Sequence, residues 1–243
     1  MDRRHWLKAF PIQEASKAVE VVLDGWKDLS SRNSTKFCHT EKEPKLTTML
    51  RLYIKDYKAM NAGLLGQWGA EQTEGMLDLT TLEITKKHRT DIHYAWHDQR
   101  THHEIIFEFK KLSHTKSSRD LYYSKEGMGR FIDGNYAKRH PLSLMVGILM
   151  SAKEDCVPPL KKAISANGAA GALKMLKNSK GHLLTEPSDF FNSKAEFDTE
   201  HTRPVEMAPQ HGSIIISHLF VEFPFPNKSK KSIRKKLAKK IAQ

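Results

Sequence analysis

Apolar residues near the start of the chain recur with the spacing of α-helices. Between residues 12 and 30 the apolar positions fall on one helical face: Val19, Val22, Leu23, Trp26 and Leu29. A polar stretch follows, and Pro44 can occupy the first turn of a second helix that ends near Met60. Its apolar face would carry Leu46, Leu50, Tyr53, Ile54 and Tyr57. The first sixty residues are therefore predicted to form two amphipathic helices.

The period then shortens to that of β-strands. Residues 77–84 favour one strand, alternating Ile92, Tyr94 and Trp96 favour a second, and residues 104–112 have the strongest strand pattern in the chain. Beyond them the pattern predicts the following elements: a helix over 122–136, a strand over 142–150, a helix over 159–178, a strand over 213–223 and a charged helix over 229–241.

This order of elements predicts an α/β fold in which helices cover both sides of a central mixed β-sheet. The length of 243 residues favours one domain, which we expect over 1–226, with its functional core at about 40–150. Residues 227–243 are predicted to form a basic C-terminal helix or tail. No internal repeat is visible.

Charge and motifs narrow the function classes. Lys and Arg outnumber Asp and Glu by 40 to 28, and the formal charge of +12 favours a polyanionic partner such as nucleic acid. No apolar run approaches the length of a membrane span, and Pro11 interrupts the start of the chain before a signal peptide could develop, so we expect a cytoplasmic protein that does not bind membranes. Cys38 and Cys156 form no CxxC zinc motif, and no Walker A, GxGxxG or GxSxG motif occurs.

Two charged residues lie inside the strongest predicted strand. Alternation places Glu108 and Lys110 on one face of that strand, while Phe107 and Phe109 point the other way into the core. Buried charges need a partner, solvent or a metal ion. Asp91 precedes Glu108 by 17 residues, on the preceding strand of a predicted hairpin, so the two carboxylates can lie side by side. Paired carboxylates suit Mg²⁺ or Mn²⁺ and phosphodiester hydrolysis, in which Lys110 would orient water or stabilise the transition state.

These residues resemble the catalytic signature of the PD-(D/E)XK, or restriction-endonuclease-like, nuclease superfamily. The resemblance rests on Thr90-Asp91 followed by Glu108-Phe109-Lys110 and covers residues 44–112, with Thr90 where the family name has proline. It implies a restriction-endonuclease-like core and a metal-dependent endonuclease that hydrolyses DNA. It also implies metal ligation by Asp91, Glu108 and the backbone carbonyl of Phe109. Acid-x-Lys triplets also begin at Glu43 and Asp56, but neither lies on a predicted central strand.

Members of this superfamily often carry a further glutamate on the helix before the sheet. The resemblance implies that Glu43 fills this role, with Glu41 as a substitute. A first-turn acid or helix cap is an equal alternative for Glu43.

A second stretch is similar to uncharacterised bacterial nucleases of restriction and phage defence. It comprises residues 123–136 followed by 144–149, and it implies a role in such defence, with a partner protein of the defence system left open. Gly127, Gly129 and Gly134 within it favour close packing of helix and sheet, or the end of a helix.

The C-terminal helix concentrates basic residues around a thin apolar stripe. Its candidate phosphate contacts are Lys230, Lys231, Arg234, Lys235 and Lys236. A nucleic-acid-binding arm is the preferred interpretation. A solvated helix is the alternative. A membrane-surface helix is a third interpretation, but the apolar stripe is too narrow for strong membrane binding.

Histidines at 88, 93, 97, 102 and 103 surround the predicted hairpin, and His93 or His103 could contact the substrate. The competing explanation for Asp91, Glu108 and Lys110 is a structural ion pair at a sheet edge. Two other functions remain open: an inactive nucleic-acid-binding module and an assembly subunit of a defence complex. Retention of all three charges favours catalysis over both. The sequence leaves open RNA as the substrate and self-association of the chain.

Overall fold

The computed structural model describes residues 10–32, 34–69, 73–77, 84–98, 101–138, 140–208 and 212–224. The helices are α1 (Ile12–Ser31), α2 (Glu43–Tyr53), α3 (Lys116–Tyr123), α4 (Met128–Ile132), α5 (Lys153–Ile164) and α6 (Asn167–Ala172), and a π-helical turn (Ile54–Lys58) extends α2. The strands are β1 (Gln67–Gly69), β2 (Thr73–Leu77), β3 (Ile84–Arg89), β4 (Ile92–Asp98), β5 (Thr101–Leu112), β6 (Leu142–Leu149), β7 (Met175–Leu176), β8 (Phe197–Thr202) and β9 (Ser213–Glu222).

Seven of these strands form one mixed sheet in the order β1-β4-β5-β6-β9-β8-β7. The three central strands, β5, β6 and β9, run parallel to one another, and the strands outside them pair antiparallel. β2 and β3 form a separate antiparallel pair. The helical crossover between β5 and β6 gives the parallel pairing that a two-residue hairpin could not provide.

Both faces of the sheet are buried under helices. On one face, Phe107 and Phe109 of β5 pack in a cluster with Val19, Val22 and Trp26 of α1. On the other face a second cluster joins the sheet to α3, α4 and α5, and its members include Ile106, Leu112, Tyr122, Phe131 and Leu160. The predicted α/β fold with a mixed sheet between two helical layers is confirmed.

The helix predicted over 122–136 is wrong, because two shorter helices, α3 and α4, replace it. Gly127 separates them with an extended turn, and a β-carbon at Gly127 would lie 2.0 Å from the Tyr122 carbonyl oxygen. Gly134 has a φ of +72°, a conformation that ends the second helix and that glycine adopts readily. Gly127 and Gly129 thus allow a close approach to the end of α3, whereas Gly134 lies against Met207, beyond β8.

Other predicted boundaries are corrected in the same way. The helix predicted over 159–178 begins earlier, at Lys153, and is divided into α5 and α6 before β7. The strand predicted over 77–84 is two strands, since β2 ends at Leu77 and β3 begins at Ile84. Residues 78–83 and the charged helix predicted over 229–241 lie outside the described residues.

The strands predicted over 142–150 and 213–223 are confirmed as β6 and β9. The sequence pattern gave no indication of β8. Among the helices that the structure describes, none combines the length and the apolar character needed to cross a membrane.

Candidate active site

The site lies where β5 extends beyond its neighbour β4. Pairing of the two strands ends at Ile92 and Phe107, so the next amides on that edge of β5 have no strand partner. Carboxylates take their place: Phe109 N donates to Asp91 Oδ2 at 2.9 Å, and Lys111 N donates to Glu43 Oε2 at 2.8 Å. Two carboxylates therefore take the place of a paired strand along this edge of β5. Asp91 lies just before β4 rather than within it, which corrects its predicted place on a strand.

Glu108 and Lys110 project together from β5, as the alternation of side chains predicts. They share the face of Ile106 and Leu112, whereas Phe107 and Phe109 point into the other core. The Lys110 ammonium donates to Glu108 Oε1 at 2.6 Å, to the Phe109 carbonyl at 2.9 Å and to Glu43 Oε1 at 3.4 Å. A cationic group thus lies among three oxygen atoms.

The two oxygen atoms of Glu108 have different surroundings. Oε1 accepts hydrogen bonds from Lys110 and, at 3.1 Å, from Nη1 of Arg130. Glu108 is fully buried, and its Oε2 atom has no hydrogen-bond partner within the described part of the chain. A buried carboxylate oxygen without a partner is costly, so this atom marks a position where a cation or donor can bind.

Burial and mutual repulsion disturb the ionisation of the two central acids. Burial raises the pKa of Glu108 to about 8, and the charge of Asp91 adds to the rise, against the opposing effect of Lys110 and Arg130. Burial likewise raises the pKa of Asp91 to about 6, while Lys110 and the Phe109 amide oppose it. Burial lowers the pKa of Lys110, but the carboxylates of Glu108, Glu43 and Asp91 outweigh it and the net shift is upward. Perturbed acids of this kind are typical of functional sites.

Arg130 and Tyr136 belong to the same cluster and were not among the predicted site residues. Arg130 lies on α4, and its Nη1 donates to Glu108 Oε1 and, at 2.5 Å, to the Tyr136 hydroxyl. Both residues fall in the second stretch of sequence resemblance, which was the one available signal. Their contact with Glu108 depends on how α4 packs on the sheet, and no local pattern encodes that packing.

A buried arginine fixes the segment that carries these two residues. Arg203, just after β8, is 4% exposed and donates to the backbone carbonyls of Phe131, Tyr136, Ala137 and His140. Its guanidinium thereby ties Phe131, Tyr136, Ala137 and His140 to the end of β8. No local sequence pattern indicates this role of Arg203.

The structure brings together all four predicted catalytic residues: Asp91, Glu108, Lys110 and Glu43. Glu43 is an acid in the first turn of α2, as its alternative role predicts, and both its oxygen atoms also accept hydrogen bonds from β5. The carboxylate of Glu41 instead pairs with Lys45 at 2.9 Å. The predicted nucleic-acid contacts Lys230, Lys231, Arg234, Lys235 and Lys236 lie outside the described residues.

The oxygen atoms of the site meet the requirements of a divalent cation in part. Within the described residues, no three side chains of Asp, Glu, His or Cys are already grouped as metal ligands. Mg²⁺, however, commonly uses one or two carboxylates and keeps several waters. Asp91 and the unpartnered Oε2 of Glu108 provide two such carboxylates, and the Phe109 carbonyl, now bonded by Lys110, provides a third oxygen. The donor set fits a hard divalent ion once the Lys110 ammonium yields that carbonyl.

The two histidines considered as substrate contacts are packing residues. His93 and His103 are both buried, and the His103 ring stacks on Trp96 with 5.5 Å between centroids. Burial lowers the pKa of both imidazoles, so they are neutral near pH 7. Burial, and for His103 the stacking on Trp96, favours packing over substrate contact for both residues.

Comparison of the chain with protein-family models, curated proteins and solved structures found no match in any of the three. The geometry of the site and the sequence signature are therefore what indicate a function.

Proposed function

We propose that the chain is a divalent-metal-dependent nuclease that hydrolyses phosphodiester bonds in DNA, built on a restriction-endonuclease-like core. The observation that carries this proposal is the buried, unpartnered Oε2 of Glu108 beside Asp91, with Lys110 on the same strand face. The succession of α2, β4, β5 and a helical crossover to parallel β6 agrees with such a core.

The charge of the cluster supports a cation there. When all are ionised, the carboxylates of Asp91, Glu108, Glu43 and Glu126 exceed the cationic groups of Lys110 and Arg130 by two negative charges. A divalent cation would neutralise that excess and so remove the repulsion that the carboxylates would exert on a phosphodiester. The bound cation would also lower the raised pKa values of the two central acids, because a nearby positive charge favours their charged forms.

Each residue then has a chemical role. Asp91, Glu108 and the Phe109 carbonyl would hold the cation, whose chemistry when bound is Lewis acidity toward the phosphodiester. Lys110 would use its ammonium to orient the attacking water and to stabilise the charge that develops on the phosphate. Glu43 would keep that ammonium near the carboxylates, which is the outer role expected of it.

The biological setting is part of the proposal and rests on sequence resemblance. An endonuclease of restriction or phage defence would act in the cytoplasm, either alone, as an oligomer or with a partner protein.

One observation favours a second candidate, a nucleic-acid-binding module without catalysis. Asp91 and Glu43 bond the unpaired amides of β5, so a purely structural reason for two of the carboxylates exists.

Cleavage assays on variants of the central residues distinguish these functions. Plasmid DNA and RNA would be incubated with the protein in Mg²⁺, Mn²⁺ or EDTA. The near-isosteric changes Asp91→Asn, Glu108→Gln and Lys110→Met should each slow cleavage by at least about a hundredfold, because each removes a charge that acts on the cation or the phosphate. Asp120→Asn, at a half-exposed acid on α3, is the matched control and should cleave at the wild-type rate. Binding without cleavage by the wild type would favour the inactive module instead.

A further inference from the structure

Arg130 presents two edges of its guanidinium to different surroundings. Nη1 faces inward and donates to Glu108 and to Tyr136, both of which are fully buried. Nη2 faces outward and donates to Glu126 Oε2 at 2.6 Å. A quarter of the Arg130 side chain is exposed, and two thirds of the Glu126 side chain is exposed.

The inward edge is fixed by the surrounding structure. If Nη1 moved away, the buried Glu108 would have one fewer cationic partner, and the Tyr136 hydroxyl would lose its donor at 2.5 Å. The carbonyl of Tyr136 is in turn held by Arg203. The guanidinium is therefore held in place before any ligand arrives, which reduces the entropy lost on binding.

The outward edge has only a weak hold on its partner. Glu126 lies four residues before Arg130, in the turn that precedes α4, and two thirds of its side chain is exposed, so solvent screens this end of the ion pair. A carboxylate and a phosphate present similar oxygen atoms to an arginine fork, and arginine suits both. The Glu126 carboxylate thus occupies the place that a phosphate oxygen would take.

We propose that Arg130 is a phosphate-binding residue of the site and that Glu126 is an internal competitor, which nucleic acid displaces from the outer edge of the guanidinium. The inference deepens the proposed function and rests on it, since it presumes a nucleic-acid phosphate near Glu108. It adds a contact that orients the substrate backbone, while Lys110 remains the group that acts on the reacting phosphate.

Equilibrium binding in EDTA tests this arrangement without cleavage. The probe is a fluorescein-labelled duplex of about 20 base pairs, titrated by anisotropy across a salt series. Glu126→Gln should tighten binding about threefold, because it removes a competing carboxylate. Asp120→Asn changes the net charge equally on the neighbouring helix, where the carboxylate pairs with Lys116, and should have a clearly smaller effect.

Arg130 variants supply the second arm. Arg130→Gln should weaken binding about tenfold and make the dependence of log affinity on log salt shallower by about 0.9, the value for one phosphate contact. Arg130→Lys should recover the salt dependence but not the whole affinity, since lysine lacks the fork. In the Arg130→Gln background, Glu126→Gln should no longer tighten binding.

Equal effects of Glu126→Gln and Asp120→Asn would overturn the inference, because the gain would then be one of net charge alone. An unchanged salt slope in a folded Arg130→Gln variant would overturn it as well. If the wild type binds and cleaves DNA but either of these contrary results is obtained, only the role of Arg130 fails. If the wild type neither binds nor cleaves nucleic acid, the proposed function fails and this inference falls with it.

Discussion

At the scale of single residues, the proposed chemistry depends on two acids that are difficult to ionise together. Glu108 is fully buried, Asp91 is close enough to raise its pKa, and two cationic groups bond only one of its oxygen atoms. Similar pairs of acids titrate as a unit. The site is therefore least stable when both acids are charged and no cation is bound.

Stability of the metal-free protein should reveal this strain. Burial raises the pKa values of Glu108 to about 8 and of Asp91 to about 6, above about 4 in the unfolded chain. The folded state then binds more protons than the unfolded chain between these values, so the free energy of unfolding should fall as pH rises through roughly 4 to 8. Glu108→Gln removes one titrating group and should flatten the fall by up to about 1.4 kcal/mol per pH unit.

Urea unfolding in EDTA at a series of pH values measures this effect. Glu154→Gln, at an exposed position of α5, is the matched control and should run parallel to the wild type. Parallel curves for wild type and Glu108→Gln would show that Glu108 does not hold its proton in the folded state.

The positions of these acids could largely be predicted from the sequence. Alternation along one strand put Glu108 and Lys110 on a common face, and the short separation of Asp91 put it beside them. Arg130 could not be found in the same way. It lies on α4, which begins after Gly127, whereas α3 has already ended at Tyr123, and the sequence pattern predicts continuous helix across this break.

At the scale of elements, residues 127–138 and His140 form a segment beside Glu108 that depends on a distant residue. Arg203 is separated from Phe131 by 72 positions, yet its guanidinium bonds four carbonyls of that segment. The carbonyls stabilise the buried guanidinium, and the guanidinium satisfies the carbonyls. The segment and the arginine are therefore mutually dependent.

Arg203→Met should destabilise the protein by about 3 kcal/mol or more, because it leaves several buried carbonyls without donors. The site should be affected along with the fold, since Tyr136 and Arg130 lose their support. Chemical denaturation measures the loss, with Arg119→Ala as a control at a half-exposed arginine on α3 that should change stability by less than about 0.5 kcal/mol. A loss of that smaller size in Arg203→Met would refute the role assigned to this residue.

Elements whose apolar residues recur periodically can be predicted from the sequence. Strand β8 lacks that pattern and was not predicted. Three of its six residues are the polar Asp198, Thr199 and His201, all of them buried. Each is satisfied by tertiary bonds: Ser217 donates to Asp198, and Thr199 links His201 to His218. A strand whose polar side chains are paired inside the core has no polar and apolar alternation to detect.

At the scale of the whole molecule, the excess of basic residues must be accounted for. The described site is itself acidic, so attraction of a polyanion has to come from elsewhere on the chain. Eight Lys and Arg residues lie between Lys228 and Gln243, outside the described residues. The nucleic-acid-binding role of this tail remains a prediction from the sequence.

Deleting residues 228–243 should weaken DNA binding for every sequence and flatten its salt dependence by about 0.9 for each phosphate that the tail neutralises. Cleavage at saturating DNA should stay near the full-length rate, because the tail carries none of the proposed metal ligands. Paired binding titrations of the full-length and truncated proteins across a salt series test this. Identical slopes would mean that the tail does not touch DNA.

The central claim is that Asp91 and Glu108 together hold a divalent cation, and calorimetric titration with Mn²⁺ near pH 7.5 tests it most directly. The account predicts one ion bound per chain, at least about tenfold weaker binding in Asp91→Asn and in Glu108→Gln, and wild-type binding in Asp120→Asn. Absence of Mn²⁺ binding, or equal affinity in the wild type and both site variants, would contradict it.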